Sequence, residues 1–170
     1  DVQAKNIHGK EDTLFTAQMD FLLPEKFDIE YIDRDGKKKR PVMIHRSTIG
    51  SLERVFGFLI EHFGGNFPIW LAPTQVKIIP VGDAHHAKAV EIYDALRANM
   101  VRAEIDLSDE GFGKKIRQAK VSRAPYFIII GDKDIAAGKV TLESRDAGQI
   151  GQLDASEVIT KITSEIRERK

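Results

Sequence analysis

The sequence predicts an α/β fold: a mixed, mostly parallel sheet flanked by helices, preceded by a smaller, partly antiparallel segment. Three observations lead there. From residue 76 onward, short Ile- and Val-rich runs alternate with amphipathic helical stretches, a β-α-β-α-β rhythm that calls for parallel strands joined by helical crossovers. Ahead of residue 73 the pattern changes to short extended runs, a tight turn and one strong helix. Between them lies Phe67-Pro68-Ile69-Trp70-Leu71-Ala72-Pro73, a connector that its prolines keep from being a regular helix. The chain therefore reads as two domains, 1–72 and 73–170.

Composition narrows the class. Hydrophobic residues make up 42% and charged residues 31%, with nine Phe, enough apolar material for a packed core and too much for a disordered chain. Without cysteine there is no disulfide framework, and any metal would be held by His and carboxylates. Lys and Arg number 26, as do Asp and Glu, so the formal charge is zero. A sequence-blind nucleic-acid binder is usually strongly basic; contact with RNA therefore falls to local patches, and DNA is not an expected partner. No apolar run approaches the roughly 18 residues of a membrane span, and nothing resembles a signal peptide. The chain opens on Asp1 within ordinary polar sequence, which reads as a cut through a longer protein.

The elements follow in order. Residues 21–45 read as extended, with a strand over 29–33, a tight turn at Asp35-Gly36 and a short buried strand over 41–44, Pro41 being tolerated at its start. Lys37-Lys38-Lys39-Arg40 is the exposed arm of this hairpin. Leu52, Val55, Phe56, Leu59, Ile60 and Phe63 then paint one apolar face of a helix that Ser51 caps and Gly64-Gly65 stops. Trp70 is expected to be half-buried. Strands follow over 76–81 and 102–107, separated by a helix over 87–100 with Val90, Tyr93 and Leu96 inward. His85-His86 are adjacent, so their side chains diverge, and they read as a solvated helix start rather than a metal pair. A basic helix over 113–123 leads to a fully buried strand over 126–130, and residues 139–144 read as an edge strand. Asp154-Ala155-Ser156-Glu157 opens the last helix as a capping box, with Val158, Ile159, Ile162 and Ile166 as its apolar stripe.

A resemblance adds to this reading. Pro41-Val42-Met43-Ile44-His45-Arg46-Ser47-Thr48-Ile49-Gly50-Ser51-Leu52-Glu53-Arg54 resembles the motif 3 region of threonyl-tRNA synthetases, a strand leading through Gly50-Ser51 into a helix that carries an arginine. Thr16-Ala17-Gln18-Met19-Asp20-Phe21 is similar to that family's Thr-x-Gln-Leu-Asp-Phe strand, and 67–76 is similar to its connector into the anticodon-binding domain. The likeness continues through Gly131-Asp132-Lys133 to the last helix, so it covers almost the whole chain. It implies that residues 1–72 are the end of a class II catalytic domain and that 73–170 are an anticodon-binding domain.

The resemblance also implies roles. Arg54 matches the motif 3 arginine that lies on the adenine of ATP and reaches toward its γ-phosphate, tasks that suit a planar, always-charged guanidinium. Outside the motif it would be an ordinary solvated arginine. Ser51 lies at the same ATP edge, although a helix cap explains it as well. Thr16 and Gln18 match polar positions of the amino-acid pocket, while Leu14-Phe15 stand where the family usually has Cys-Gly or Cys-Ala. His45 matches one ligand of a zinc ion that tells a threonine hydroxyl from a methyl; the other two ligands would lie upstream of Asp1, so the site is incomplete here. In the second domain Asp134 and Glu143 match positions where the family carries a Glu and an Arg that read the anticodon. Glu143 reverses that charge, and Arg145, two residues on, is its expected partial substitute. Asp109 and Gly111 occupy positions of a common Asn and Lys. Lys133 and Arg117 complete the tRNA-binding set, with Lys114, Lys115, Lys120 and Arg123 available for phosphates.

The leading expectation is a piece of a cytoplasmic, homodimeric ligase that activates L-threonine with ATP and Mg and attaches it to threonine tRNA. The motif 1 dimer segment and the motif 2 arginine lie outside the chain, so these 170 residues alone are expected to be inactive. An alternative is a free-standing tRNA- or protein-binding module derived from a synthetase. A nucleotide-binding α/β domain is a third reading, opposed by the loop Gly82-Asp83-Ala84-His85, which is no glycine-rich phosphate cradle.

Overall fold

A computed structural model describes residues 1–170, which divide into two compact units, Asp1–Gly65 and Asn66–Lys170. The connector thus packs with the second unit, ahead of the boundary read from sequence at Pro73. None of its helices is long and apolar enough to cross a membrane.

The first unit is built on a three-stranded antiparallel sheet in the order β1-β2-β5, from Val2–Lys5, Glu11–Asp20 and Met43–Ser47. The stretch expected to be wholly extended contains a short helix, α1 (Leu22–Lys26), followed by a two-stranded hairpin of β3 (Tyr31–Ile32) and β4 (Lys38–Lys39). Helix α1 is nucleated by Asp20, whose Oδ1 accepts the backbone N–H groups of Leu22 and Leu23 at 2.8 and 3.0 Å. In the hairpin the chain turns at Asp35-Gly36, where Gly36 takes a φ of +77° that a side chain would disfavour. Helix α2 (Leu52–Phe63) has the bounds its apolar spacing predicts, with Ser51 Oγ accepting from the Arg54 N–H at 3.3 Å and left-handed Gly64 closing it.

Burial departs from expectation. Pro24 is the one fully buried residue of this unit. The strand expected over 41–44 as buried runs instead over Met43–Ser47, with Ile44 67% exposed, and Leu52, Phe56 and Ile60 of α2 are more than half exposed. A one-sided sheet and a one-sided helix need an opposing layer to hide their apolar faces, and these residues do not supply one.

The second unit supplies its own. Its five-stranded sheet has the order β10-β9-β8-β6-β7, from Gly148–Leu153, Val140–Ser144, Tyr126–Ile130, Val76–Pro80 and Ala103–Ile105. Strands β7, β6 and β8 are parallel; β9 and β10 join antiparallel, so the sheet is mixed but only half its pairings are parallel. Strand β9 is interior rather than at the edge, because the unexpected β10 pairs along its free side. The helices are α3 (His86–Ala98), α4 (Phe112–Val121), α5 (Asp132–Ala137) and α6 (Ala155–Arg167). Ile78, Ile128, Ile130 and Leu142 pack against Ile92, Leu96, Val158 and Ile162 of α3 and α6; a smaller cluster of Ile79, Ala119 and Phe127 packs with α4. On α3 the inward residues are Ala89, Ile92 and Leu96, while Val90, expected inward, is 38% exposed. Glu157 closes the capping box of α6, accepting from the Asp154 N–H at 3.1 Å.

Pro80 lies buried at the end of β6, the central strand of the parallel block. The N–H it lacks would point toward β7, but β7 leaves the ladder after Ile105, so no hydrogen bond is missing.

The connector is fastened by buried polar groups. Fully buried Gln75 donates from Nε2 to the Ile69 carbonyl at 2.8 Å and accepts the Arg102 N–H at 2.8 Å. The Arg102 guanidinium donates to the carbonyls of Trp70 and Ala72 at 2.8–3.0 Å. Trp70 is 37% exposed, with the Arg169 guanidinium 6.0 Å above its ring. We expect Gln75→Ala to leave a buried carbonyl and a buried N–H unsatisfied and to cost about 2–4 kcal/mol, read as a lower urea midpoint at unchanged slope.

Candidate functional site

Two groups of site residues can be followed. In the first unit, antiparallel pairing sets Thr16 opposite Ser47, Gln18 opposite His45 and Asp20 opposite Met43. Because side chains alternate along a strand, Thr16, Gln18, His45 and Ser47 share one face of the sheet. Thr16 donates its hydroxyl to the Asp1 carboxylate, and Gln18 is exposed. A cleft of about 590 Å³ opens beside Phe15, Thr16, Arg46 and Ser47. Ser51 sits beyond the strand as the cap of α2. Arg54 is exposed and makes no ion pair, with Glu53 or any other carboxylate, so its guanidinium is available to a ligand.

His45 Nε2 meets Asp20 Oδ2 at 2.8 Å. Asp20 thus joins two tasks, capping α1 and holding the imidazole. The Leu23 N–H first, and then His45, hold its carboxyl below the usual aspartate range. As a zinc site this set does not fit: a protein zinc site takes three or four protein ligands, and no group of three His, Cys, Asp or Glu converges here.

In the second unit the residues ascribed to RNA reading separate into exposed and internal groups. Asp109, Arg117 and Lys133 are exposed; Arg117 and Lys133 make no ion pair. Asp134 is 5% exposed, its Oδ2 accepting from the Gly131 N–H at 3.0 Å and its Oδ1 from Thr141 Oγ1 and Gln152 Nε2 at 2.7 and 2.8 Å. Both of its oxygens are thus occupied in shaping the turn after β8. Arg145, the expected substitute at Glu143, is committed too. It donates to the carbonyls of Phe67 and Arg123 at 3.1 Å and grips Asp146, which fastens the connector to the end of β9. Glu143 carries an ion pair with Lys120 at 3.2 Å.

The basic face of α4 is smaller than its sequence suggests. Lys115 is 2% exposed, its ammonium 3.4 Å from the Asp106 carbonyl, and Lys114 is paired with Glu110. Gly111 caps the helix. His85, read from sequence as solvated, is instead 5% exposed, with Nε2 3.0 Å from Asp132 Oδ1. No local signal announces a pair 47 residues apart; only the parallel register of β6 and β8 brings their loops together.

Comparison with known proteins supplies the context. Residues 75–165 match the family model described as an anticodon binding domain. The chain belongs to the anticodon-binding-domain family. Ahead of this anticodon-binding domain, residues 3–63 match the class II tRNA synthetase core domain model for the glycine, histidine, proline, serine and threonine enzymes. The whole chain is similar to a threonine–tRNA ligase of Clostridium botulinum (strain Eklund 17B / Type B), 45% identical over 98% of this chain, and to that of Prosthecochloris aestuarii, 45% identical over 95%. It spans about a quarter of those relatives, 26% and 24% of their lengths. A crystal structure titled as the RNA binding domain of threonyl-tRNA synthetase from Cryptosporidium parvum Iowa II superposes with a TM-score of 0.79 at 30% identity, covering 96% of this chain and 41% of that one. The anticodon-binding domain and the partial core that precedes it therefore keep the order found in these ligases.

A carboxylate whose folded pKa is depressed contributes stability above its unfolded pKa, and that contribution disappears as pH falls through the folded value. For Asp20 the window lies below the ordinary aspartate range. Replacing His45 with Ala should move the Asp20 titration upward in a ¹³C-carboxyl NMR experiment, while the Leu22 and Leu23 amides keep their bonds.

Proposed function

We propose that this chain is the carboxyl-side part of a cytoplasmic, homodimeric threonine–tRNA ligase, which joins L-threonine to threonine tRNA at the expense of ATP. The reading rests above all on one observation: 45% identity to threonine–tRNA ligases over 98% of the chain. In it, Arg54 and the Ser51 cap form one edge of the ATP site. An unpaired guanidinium at the start of α2 suits an adenine face and a phosphate oxygen. Thr16 and Gln18 line the amino-acid pocket beside His45. His45, held by Asp20, would be a single imidazole ligand to a zinc ion; these residues alone do not complete such a site.

The anticodon-binding domain serves RNA through its exposed groups. Asp109, Arg117 and Lys133 remain open to solvent, Lys120 reaches outward beside Glu143, and Asp134 and Arg145 act as framework. A Lys or Arg that neutralises a phosphate releases counterions, so binding weakens steeply with salt. The completeness of the second unit's core, against one buried residue in the first, favours a second reading in which residues 66–170 act as a tRNA-binding module.

Two outcomes are expected. Purified 170-residue chain should give no threonine-dependent pyrophosphate exchange; clear exchange would overturn the assignment of the missing groups. A threonine anticodon stem–loop should bind with affinity falling as salt rises. Arg117→Ala should weaken it at every anticodon sequence and reduce the log–log salt slope by about one. Binding indifferent to salt and to Arg117 would remove the RNA role.

A further inference from the structure

The loops after β6 and β8 meet where the chain reverses its direction across the sheet. Strand β6 is followed by α3 on one face and β7 by α4 on the other, so beyond the last paired residues, Pro80 and Ile130, the connections diverge and leave a crevice between residues 81–85 and 131–134. The crevice is narrow: a Cβ on Gly131 would lie 3.2 Å from the Val81 side chain. His85 fills it.

Its imidazole is held at both nitrogens. Nδ1 lies 3.1 Å from the Gly82 N–H and 3.2 Å from the Gly82 carbonyl, and Nε2 lies 3.0 Å from Asp132 Oδ1. A proton on Nε2 donates to the carboxylate, while Nδ1 can accept from the Gly82 N–H or donate to the Gly82 carbonyl. A ring with Nε2 bare would set a lone pair against Asp132. Asp132 itself is almost wholly exposed, so the buried imidazole is the one group that fixes it.

Two residues later Asp134 is held from the opposite side by Thr141 of β9 and Gln152 of β10. Lys133 stands between these two anchored carboxylates, exposed and with no partner of its own. A lysine loses much rotamer and backbone freedom when it captures a phosphate, and fixing its neighbours beforehand reduces that cost.

We propose that His85 is a positioning residue for RNA binding. Through its Nε2–H it holds Asp132, and with Asp134 braced on the far side it presents Lys133 to an RNA phosphate. The proposal rests on the RNA-binding reading above.

The test uses the 170-residue chain, a threonine anticodon stem–loop and four variants. His85→Asn keeps an acceptor where Nδ1 stands but cannot reach Asp132; His85→Gln places an N–H near the position of Nε2. His85→Asn should lower affinity about threefold to tenfold, matching Lys133→Ala, and His85→Gln should recover most of the loss. The double variant His85→Asn/Lys133→Ala should bind no more weakly than Lys133→Ala, because the two act as a unit. Additive losses, or full affinity in His85→Asn beside a weakened Lys133→Ala, would overturn the proposal. A second measurement needs no RNA. ¹⁵N spectra should place the His85 proton on Nε2, and His85→Asn should speed amide exchange at Asp132 and Lys133 while β6 and β8 keep their protection. If the wild-type chain fails to bind the stem–loop, the RNA reading falls; if exchange at Asp132 and Lys133 is unchanged in His85→Asn, the brace falls.

Discussion

The Gln75 side chain is the joint on which the second unit depends. Its amide has no solvent to turn to, yet it satisfies a carbonyl of the connector and the N–H that opens the approach to β7. A buried amide that meets partners at both ends fixes geometry more sharply than apolar contact, since each unsatisfied group would cost on the order of 1–3 kcal/mol. Arg102 and Arg145 extend the same principle: Arg102 donates to the carbonyls of Trp70 and Ala72, and Arg145 to those of Phe67 and Arg123 while it also holds the Asp146 carboxylate. The connector is consequently part of a folded body, and what is mobile or adaptable about the chain must lie elsewhere.

Much of this was legible in the residues, for identifiable reasons. Helix α2 has its signal in a span of fourteen residues, with a Ser cap, an apolar stripe and a Gly stop, and local signals survive any tertiary context. The alternation of strands and helices after residue 76 is equally local. The elements that depart from expectation are those whose local signal is weak or whose partner is not written in their own residues. Strand β9 becomes interior only because Gly148–Leu153, rich in Gly and Gln and poor in strand formers, pairs with it across a turn and a bulge. On α3 the apolar residues are few and their periodicity weak, so the spacing points Val90 inward where Ile92 lies instead. Asp134, Arg145 and His85 look from sequence like a reader, its substitute and a solvated residue; His85 proves buried, and Asp134 and Arg145 are engaged by internal hydrogen bonds that only the folded chain reveals.

The two units pose opposite problems. In the first, the residues for which we propose threonine and ATP contacts share one sheet face or one helix start, but the surrounding faces of α2 and β5 are uncovered. A geometry set by two strands is kept by register, not by packing. In the second, packing is complete, and several of the basic residues are tied up: Lys115 is buried, Lys114 pairs with Glu110, Lys120 with Glu143, and Arg145 holds backbone carbonyls, while Arg117 and Lys133 stay exposed without an ion pair.

Pro80 carries a consequence of its own. A backbone N–H at this point would reach toward β7 and invite the chain after Ile105 to continue the ladder. Proline removes that invitation while leaving the β8 side of the strand intact, where the Val81 N–H still finds the Ile130 carbonyl at 2.9 Å. The sheet is thereby unzipped on one flank only. Residues 106–111 leave strand geometry and turn on their own side chains instead, Asp106 accepting from the N–H and hydroxyl of Ser108 and Glu110 pairing with Lys114 at the start of α4, so the two flanks of β6 end differently.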